Sequence, residues 1–67
     1  MRNIERLDSF YDTLKKAHKH FFPDWRFAQL VTNIQSWYIR KYGIDIFYLE
    51  EDQFIEVLND YIKEVIL

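Results

Sequence analysis

Over the first third of the chain, Ile4, Leu7, Tyr11, Leu14, His18 and Phe21 recur at alternating intervals of three and four, and Phe10 and Ala17 widen the stripe. This spacing predicts an amphipathic helix from Asn3 to about His20. Asn3 is suited to cap its first turn, and Asp12 precedes Lys16 by four residues in the favourable order. Lys15, Lys16 and Lys19 lie near the negative end of the helix dipole. Pro23 stops the helix, and the residue before a proline is pushed out of the α region, so Phe22 is expected to be extended.

A second stripe follows, with Phe27, Leu30, Val31, Ile34, Trp37, Tyr38 and Lys41 on one side and Gln29, Thr32, Asn33, Ser36 and Arg40 mostly on the other. It predicts a helix from about Trp25 to Tyr42, with Asp24 as its N-cap. Gly43, the one glycine in the chain, stands where a left-handed residue closes a helix, and Ile44 is placed to fold back onto Ile39.

From Gly43 to Phe54 the chain packs Ile44, Ile46, Phe47, Tyr48, Leu49 and Phe54 together with Asp45, Glu50, Glu51 and Asp52. The alternation of Ile44, Ile46 and Tyr48 against Asp45, Phe47 and Leu49 resembles a strand, but no other segment offers a partner for it. The expectation is therefore an extended or turn-like connector whose aromatic side chains press into the core. The alternative is a strand that pairs with its own copy in a dimer. A last helix is expected from Glu51 or Asp52 to near the end of the chain. Its early carboxylates favour the positive end of the dipole, and Phe54, Ile55, Leu58, Tyr61, Ile62 and Val65 form its inner face. Together these elements predict an all-α fold: a small three-helix bundle with an extended aromatic connector before the last helix, forming a single helical domain over residues 1–67.

Length agrees with one domain, because a chain of 67 residues removes only about 60% of its unfolded surface from water. With no cysteine, neither disulfides nor a thiolate zinc site can staple it. Six Phe, five Tyr and two Trp supply apolar area instead, and one Gly with one Pro argues against disorder. The N-terminal segment carries acids and bases where a secretory signal needs an apolar run, and the longest such run, Ile46 to Leu49, is far below the ~20 residues of a membrane span. A cytoplasmic protein that neither crosses nor binds a membrane is the expectation.

Charge divides the chain. Up to Tyr42 it carries +4, and from Gly43 onward −6. The net charge of −2 gives no global attraction to nucleic acid or anionic lipid, so any such binding needs a local patch.

The segment Arg26-Phe27-x-Gln29-Leu30-x-x-Asn33, followed by Asp45-x-Phe47-Tyr48-x-Glu50-x-Asp52-x-Phe54, resembles a family of short uncharacterised proteins of bacteria and their phages. The resemblance spans Trp25 to Tyr61. The basic end of helix two, Tyr38 to Tyr42, departs from the shorter helix of that pattern. The resemblance implies a phage or mobile-element setting in which a host protein is modulated, and it assigns no functional residue.

Glu56, Asp60 and Glu64 stand four residues apart and form an acidic ridge, a spacing that costs a few tenths of a kcal/mol per like-charged pair. Basic residues of the N-terminal part, a basic partner, or solvent with help from Lys63 would relieve it. Asp45, Glu50, Glu51 and Asp52 lack the alternation and central glycine of a calcium loop, so capping explains them better. His18 and His20 would project to nearly opposite sides of a helix, which suits a packed His18 and an exposed His20 rather than a metal site. Ser9 and Ser36 have no motif context, there is no phosphate-binding glycine loop, and a core this small leaves little room for a pocket of ~300 Å³. No enzyme activity, metal or cofactor is expected.

What remains is the aromatic excess, which either fills the core or anchors an interface. The leading expectation is a non-catalytic protein–protein interaction module, with homodimer formation, that uses Trp37, Tyr38, Phe47, Tyr48, Glu56, Asp60 and Glu64 as its partner-binding residues. The alternative is nucleic-acid binding through Lys15, Lys16, Lys19, Arg40 and Lys41, with Arg2, Arg6 and Arg26 adding to the basic patch. A third reading is a self-assembling dimer with no other ligand.

Overall fold

A computed structural model describes residues 2–67. Among them three α-helices run in order, α1 (Arg6–Phe21), α2 (Phe27–Tyr42) and α3 (Glu51–Tyr61), with a 3-10 turn at Ile46–Tyr48 and a π turn at Ile62–Ile66 that ends the chain. No strand occurs among the described residues, so the all-α bundle expected from the periodicity is the fold. The connector is turn-like, with a 3-10 turn at Ile46–Tyr48 between the extended residues Asp45 and Leu49.

Helix α3 is the central element and packs against both α1 and α2. That position explains the core, in which Val57, Leu58, Tyr61 and Ile62 meet Leu14 and Phe22 from the first part and Leu30 and Ile34 from α2. Leu30, Ile34 and Leu58 are completely buried, and each such side chain stabilises the fold by roughly 1.5–3 kcal/mol relative to exposure. Val57 was not on the expected stripe. Val65, which was, is exposed on the π turn.

The helix ends refine several expectations. Asn3 does not cap α1, which starts at Arg6 after Glu5 without a side-chain cap; its Oδ1 accepts from the Glu5 N–H at 3.0 Å in the preceding turn, where Ile4 is exposed. Leu14, Phe10, Ala17 and Phe21 line the buried side, whereas Tyr11 is exposed and packs edge-on against Phe10 at 4.9 Å. The expected pair Lys16–Asp12 is present at 2.9 Å.

Pro23 ends α1 as expected, although Phe22 adopts φ −134° and ψ 47°, out of the α region but short of extended. Its side chain is one of the best buried in the molecule, stacked on Trp25 at 4.8 Å. His18 Nε2–H donates to the Trp25 carbonyl oxygen at 2.7 Å and closes this corner, so His18 is half-buried while His20 is exposed.

Asp24 does not cap α2, because the chain stays in a turn until Arg26. The Gln29 side chain accepts from the Arg26 N–H at 2.8 Å, and Gln53 does the same for Glu50 at the start of α3, also at 2.8 Å. Each glutamine satisfies one of the donors that a helix start leaves open. Starting α2 at Phe27 leaves that residue exposed in its first turn, where the stripe had placed it inside. At the other end Gly43, at φ 71°, donates its N–H to the Ile39 carbonyl at 2.8 Å in the left-handed closure the sequence called for. Lys41, Ile39 and Ile44 are all exposed there.

Candidate protein-binding surface

The connector between α2 and α3 holds its aromatic residues outward, which corrects the expectation that they press into the core. Phe47 is 81% exposed and Tyr48 77% exposed, with their rings edge-to-face at 5.1 Å. The backbone beneath them is pinned. Asp45 Oδ1 accepts from the Phe47 N–H at 2.8 Å and from the Gln35 amide at 2.6 Å, while Gln35 Oε1 accepts from the Ile46 N–H at 2.9 Å. One side chain of α2 thus grips the turn through both its donor and its acceptor. The Phe47 N–H first, and then the Gln35 amide, hold the Asp45 carboxyl below its ordinary range.

This geometry explains why the aromatic pair stays out. A 3-10 turn capped by its own aspartate runs along the surface of α2, and only Ile46, its first residue, and Leu49, which follows it, reach partial burial. Exposed aromatic side chains on a hydrogen-bonded turn form a preorganised apolar surface, and large aromatics are the commonest anchors of protein interfaces.

The other expected partner-binding residues divide. Trp37 is half-buried and meets Tyr61 edge-on at 5.5 Å, so it supports the core as much as the surface. Tyr38 is half-buried and lies 5.0 Å from the exposed Tyr42 ring. Glu56 and Asp60 are exposed on α3, and Glu64 is exposed on the π turn that follows it. Tyr38, Tyr42, Glu56 and Asp60 line one groove of about 270 Å³ together with Leu49, the residue that follows the aromatic pair. Two residues of the acidic ridge, two tyrosines and Leu49 of the connector thus meet at this groove, whereas Glu64, Phe47 and Tyr48 do not line it.

Much of the charge division is spent inside the molecule. Arg2 pairs with Glu50 at 2.7 Å, Arg6 with Glu51 at 2.6 Å, and Lys41 with Glu64. The Arg6 hydrogen bond holds the Glu51 carboxyl below the usual range, and the Glu64 hydrogen bond raises the Lys41 ammonium. Lys41 also lies over the rings of Trp37 at 5.1 Å and Tyr42 at 5.7 Å, within cation–π reach. Of the acidic ridge, Glu64 alone forms an ion pair among the described residues. Of the residues expected for nucleic acid, Lys16 and Lys41 are engaged with carboxylates, while Lys15, Lys19 and Arg40 form no ion pair among the described residues.

A larger groove of about 550 Å³ lies between α1 and the start of α3, lined by Ser9, Phe10, Thr13 and Ile55 with the Arg6–Glu51 pair beside them. A space this wide was not expected in so short a chain. Its carboxylate Glu51 is held ionised by Arg6, and the Ser9 hydroxyl donates to the Arg6 carbonyl at 3.5 Å. No group of three or more metal-ligating side chains occurs among the described residues, and no helix among them is long and apolar enough to cross a membrane.

No protein-family model, curated protein or solved structure matches this chain.

Sequence reasoning missed Gln35, Gln29 and Gln53. A glutamine three residues after the N-cap residue of α2 and of α3 was a usable signal for the two caps. Gln35 gave none, because its partners lie ten and eleven residues away across a glycine stop.

Proposed function

We propose that this chain is a non-catalytic protein–protein interaction module that anchors a partner through Phe47 and Tyr48, with the acidic residues of α3 flanking the contact. The observation that carries this reading is the aromatic pair held in solvent by the Gln35–Asp45 grip. Leaving two large rings wet forgoes roughly 25 cal/mol for each Å² of apolar area, so a second surface gains by covering them. The phage or mobile-element setting implied by the resemblance fits a small module that modulates a host protein. Homodimer formation would use the same rings.

Nucleic-acid binding has less charge available than the sequence suggested, since Arg2, Arg6, Lys16 and Lys41 already face carboxylates. The decisive experiment compares the chain with its Phe47→Ser/Tyr48→Ser variant. Each is used to capture proteins from its native cell extract, with mass spectrometry to identify them and light scattering to measure the mass of the isolated chain. The expected result is a specific protein lost by the variant at unchanged helical circular dichroism. Identical captured sets and identical masses would reject the reading.

A further inference from the structure

We infer that the groove between the end of α2 and the middle of α3 receives an arginine side chain from a segment of the partner, a conclusion that rests on the protein-binding reading and gives that partner a chemistry. At about 270 Å³ the groove falls below the ~300–1,000 Å³ of pockets that enclose drug-sized ligands, and it is sized for one long side chain. Leu49 and Val57 give it an apolar lining, Tyr38 and Tyr42 contribute two rings, and Glu56 and Asp60 supply the charge.

Glu56 and Asp60 stand one helical turn apart on α3, about 6 Å along its axis, and neither makes an ion pair among the described residues. Their mutual repulsion is relieved by a cation placed between them. In the π turn that follows α3, the chain already shows how this surface treats a cation: the Lys41 ammonium pairs with Glu64 while lying over the Trp37 and Tyr42 rings. The groove shares the Tyr42 ring with that site, and Lys41 lies near enough to Asp60 for their charges to interact, but the Tyr38 ring and Glu56 are engaged by no cation among the described residues. A planar guanidinium fits this better than an ammonium, because it stacks on aromatic faces and reaches two carboxylates at once through its forked donors, whereas lysine acts as a point charge. Its methylene stem would lie along Leu49 and Val57.

The test uses the full chain, labelled with nitrogen-15, and the peptide acetyl-Gly-Leu-Arg-Leu-Gly-amide beside its neutral citrulline counterpart. The arginine peptide should shift the amide resonances of Tyr38, Tyr42, Val57 and Asp60, and the citrulline peptide should bind at least about tenfold more weakly. The Glu56→Gln/Asp60→Asn variant should weaken the arginine peptide by about the same factor. Absence of shifts in the groove at millimolar peptide, equal binding of the citrulline peptide, or full binding by a folded variant would overturn the assignment. If the variant loses its helical circular dichroism, the two peptides on the unaltered chain decide. Capture that still depends on Phe47 and Tyr48 while the arginine peptide fails rejects arginine recognition alone. Loss of that dependence rejects the wider reading.

Discussion

The two connectors of this bundle carry the same kind of side chain and place it oppositely. Between α1 and α2, Phe22 is 3% exposed and stacked on Trp25, within ring distance of Tyr61 at 6.0 Å. Between α2 and α3, Phe47 and Tyr48 stand almost wholly in solvent. Hydrophobicity does not distinguish them, and the backbone does. Pro23 breaks α1 abruptly, and the His18 bond to the Trp25 carbonyl folds the corner back over the core. Gly43 instead closes α2 with a left-handed residue, and Gln35 then fastens the following turn along the helix surface. The turn residues Pro23 and Gly43, and the side chains of His18 and Gln35 that fasten the following backbone, thus decide which aromatics pack into the core and which stay exposed.

The comparison can be broken most severely at the first connector. Phe22→Ala should cost about 3–5 kcal/mol, as removal of a buried aromatic ring typically does, and urea unfolding monitored by circular dichroism would measure it. A small effect there would mean that the corner is not part of the core.

A smaller effect is expected from Gln35→Ala, which removes the grip on the second connector without touching its aromatics. Two partly exposed hydrogen bonds are worth about 1–2 kcal/mol together. Losing the Gln35 amide should also let the Asp45 carboxyl rise toward its ordinary range, while the Phe47 N–H keeps part of the depression. Carbon-13 titration of the carboxyl would report this. The sign of the wider pH effect follows. Asp45 and Glu51 have folded-state values held below their unfolded ones, so the unfolded chain binds more protons in mild acid. Their contribution is present at neutral pH and is lost as pH falls below the ordinary carboxylate range, around pH 4. Acid should therefore destabilise the variant less steeply than the parent chain. Equal slopes would show that Gln35 has no hold on Asp45.

The helices were legible because their signals are local. Apolar spacing near 3.6, Pro23 and Gly43 act within one or two turns, and they place α1, α2 and the start of α3 to within three residues, although α3 gives way at Ile62 to a π turn that the spacing did not indicate. What the sequence did not show was rotation and reach. Tyr11 and Phe27 were placed inside by a stripe that cannot tell where a helix begins, and the Gln29 bond that starts α2 at Phe27 settles the second of these. The division of charge was plain, but not its use: Arg2 meets Glu50 and Arg6 meets Glu51 across 48 and 45 residues, distances at which only the packing of α1 on α3 chooses the partner. The aromatic connector was recognised as unusual, yet its orientation depends on Gln35, a residue with no mark of its own in the pattern.

The smallest effect carries the most weight. Phe47→Ser/Tyr48→Ser removes two large rings that, on this account, belong to a binding surface and contribute nothing to folding. Equilibrium urea unfolding of this double variant beside the parent chain should give stabilities within about 0.5 kcal/mol of each other, the range of surface substitutions. A loss of about 2 kcal/mol or more would place the pair in the core and contradict the account.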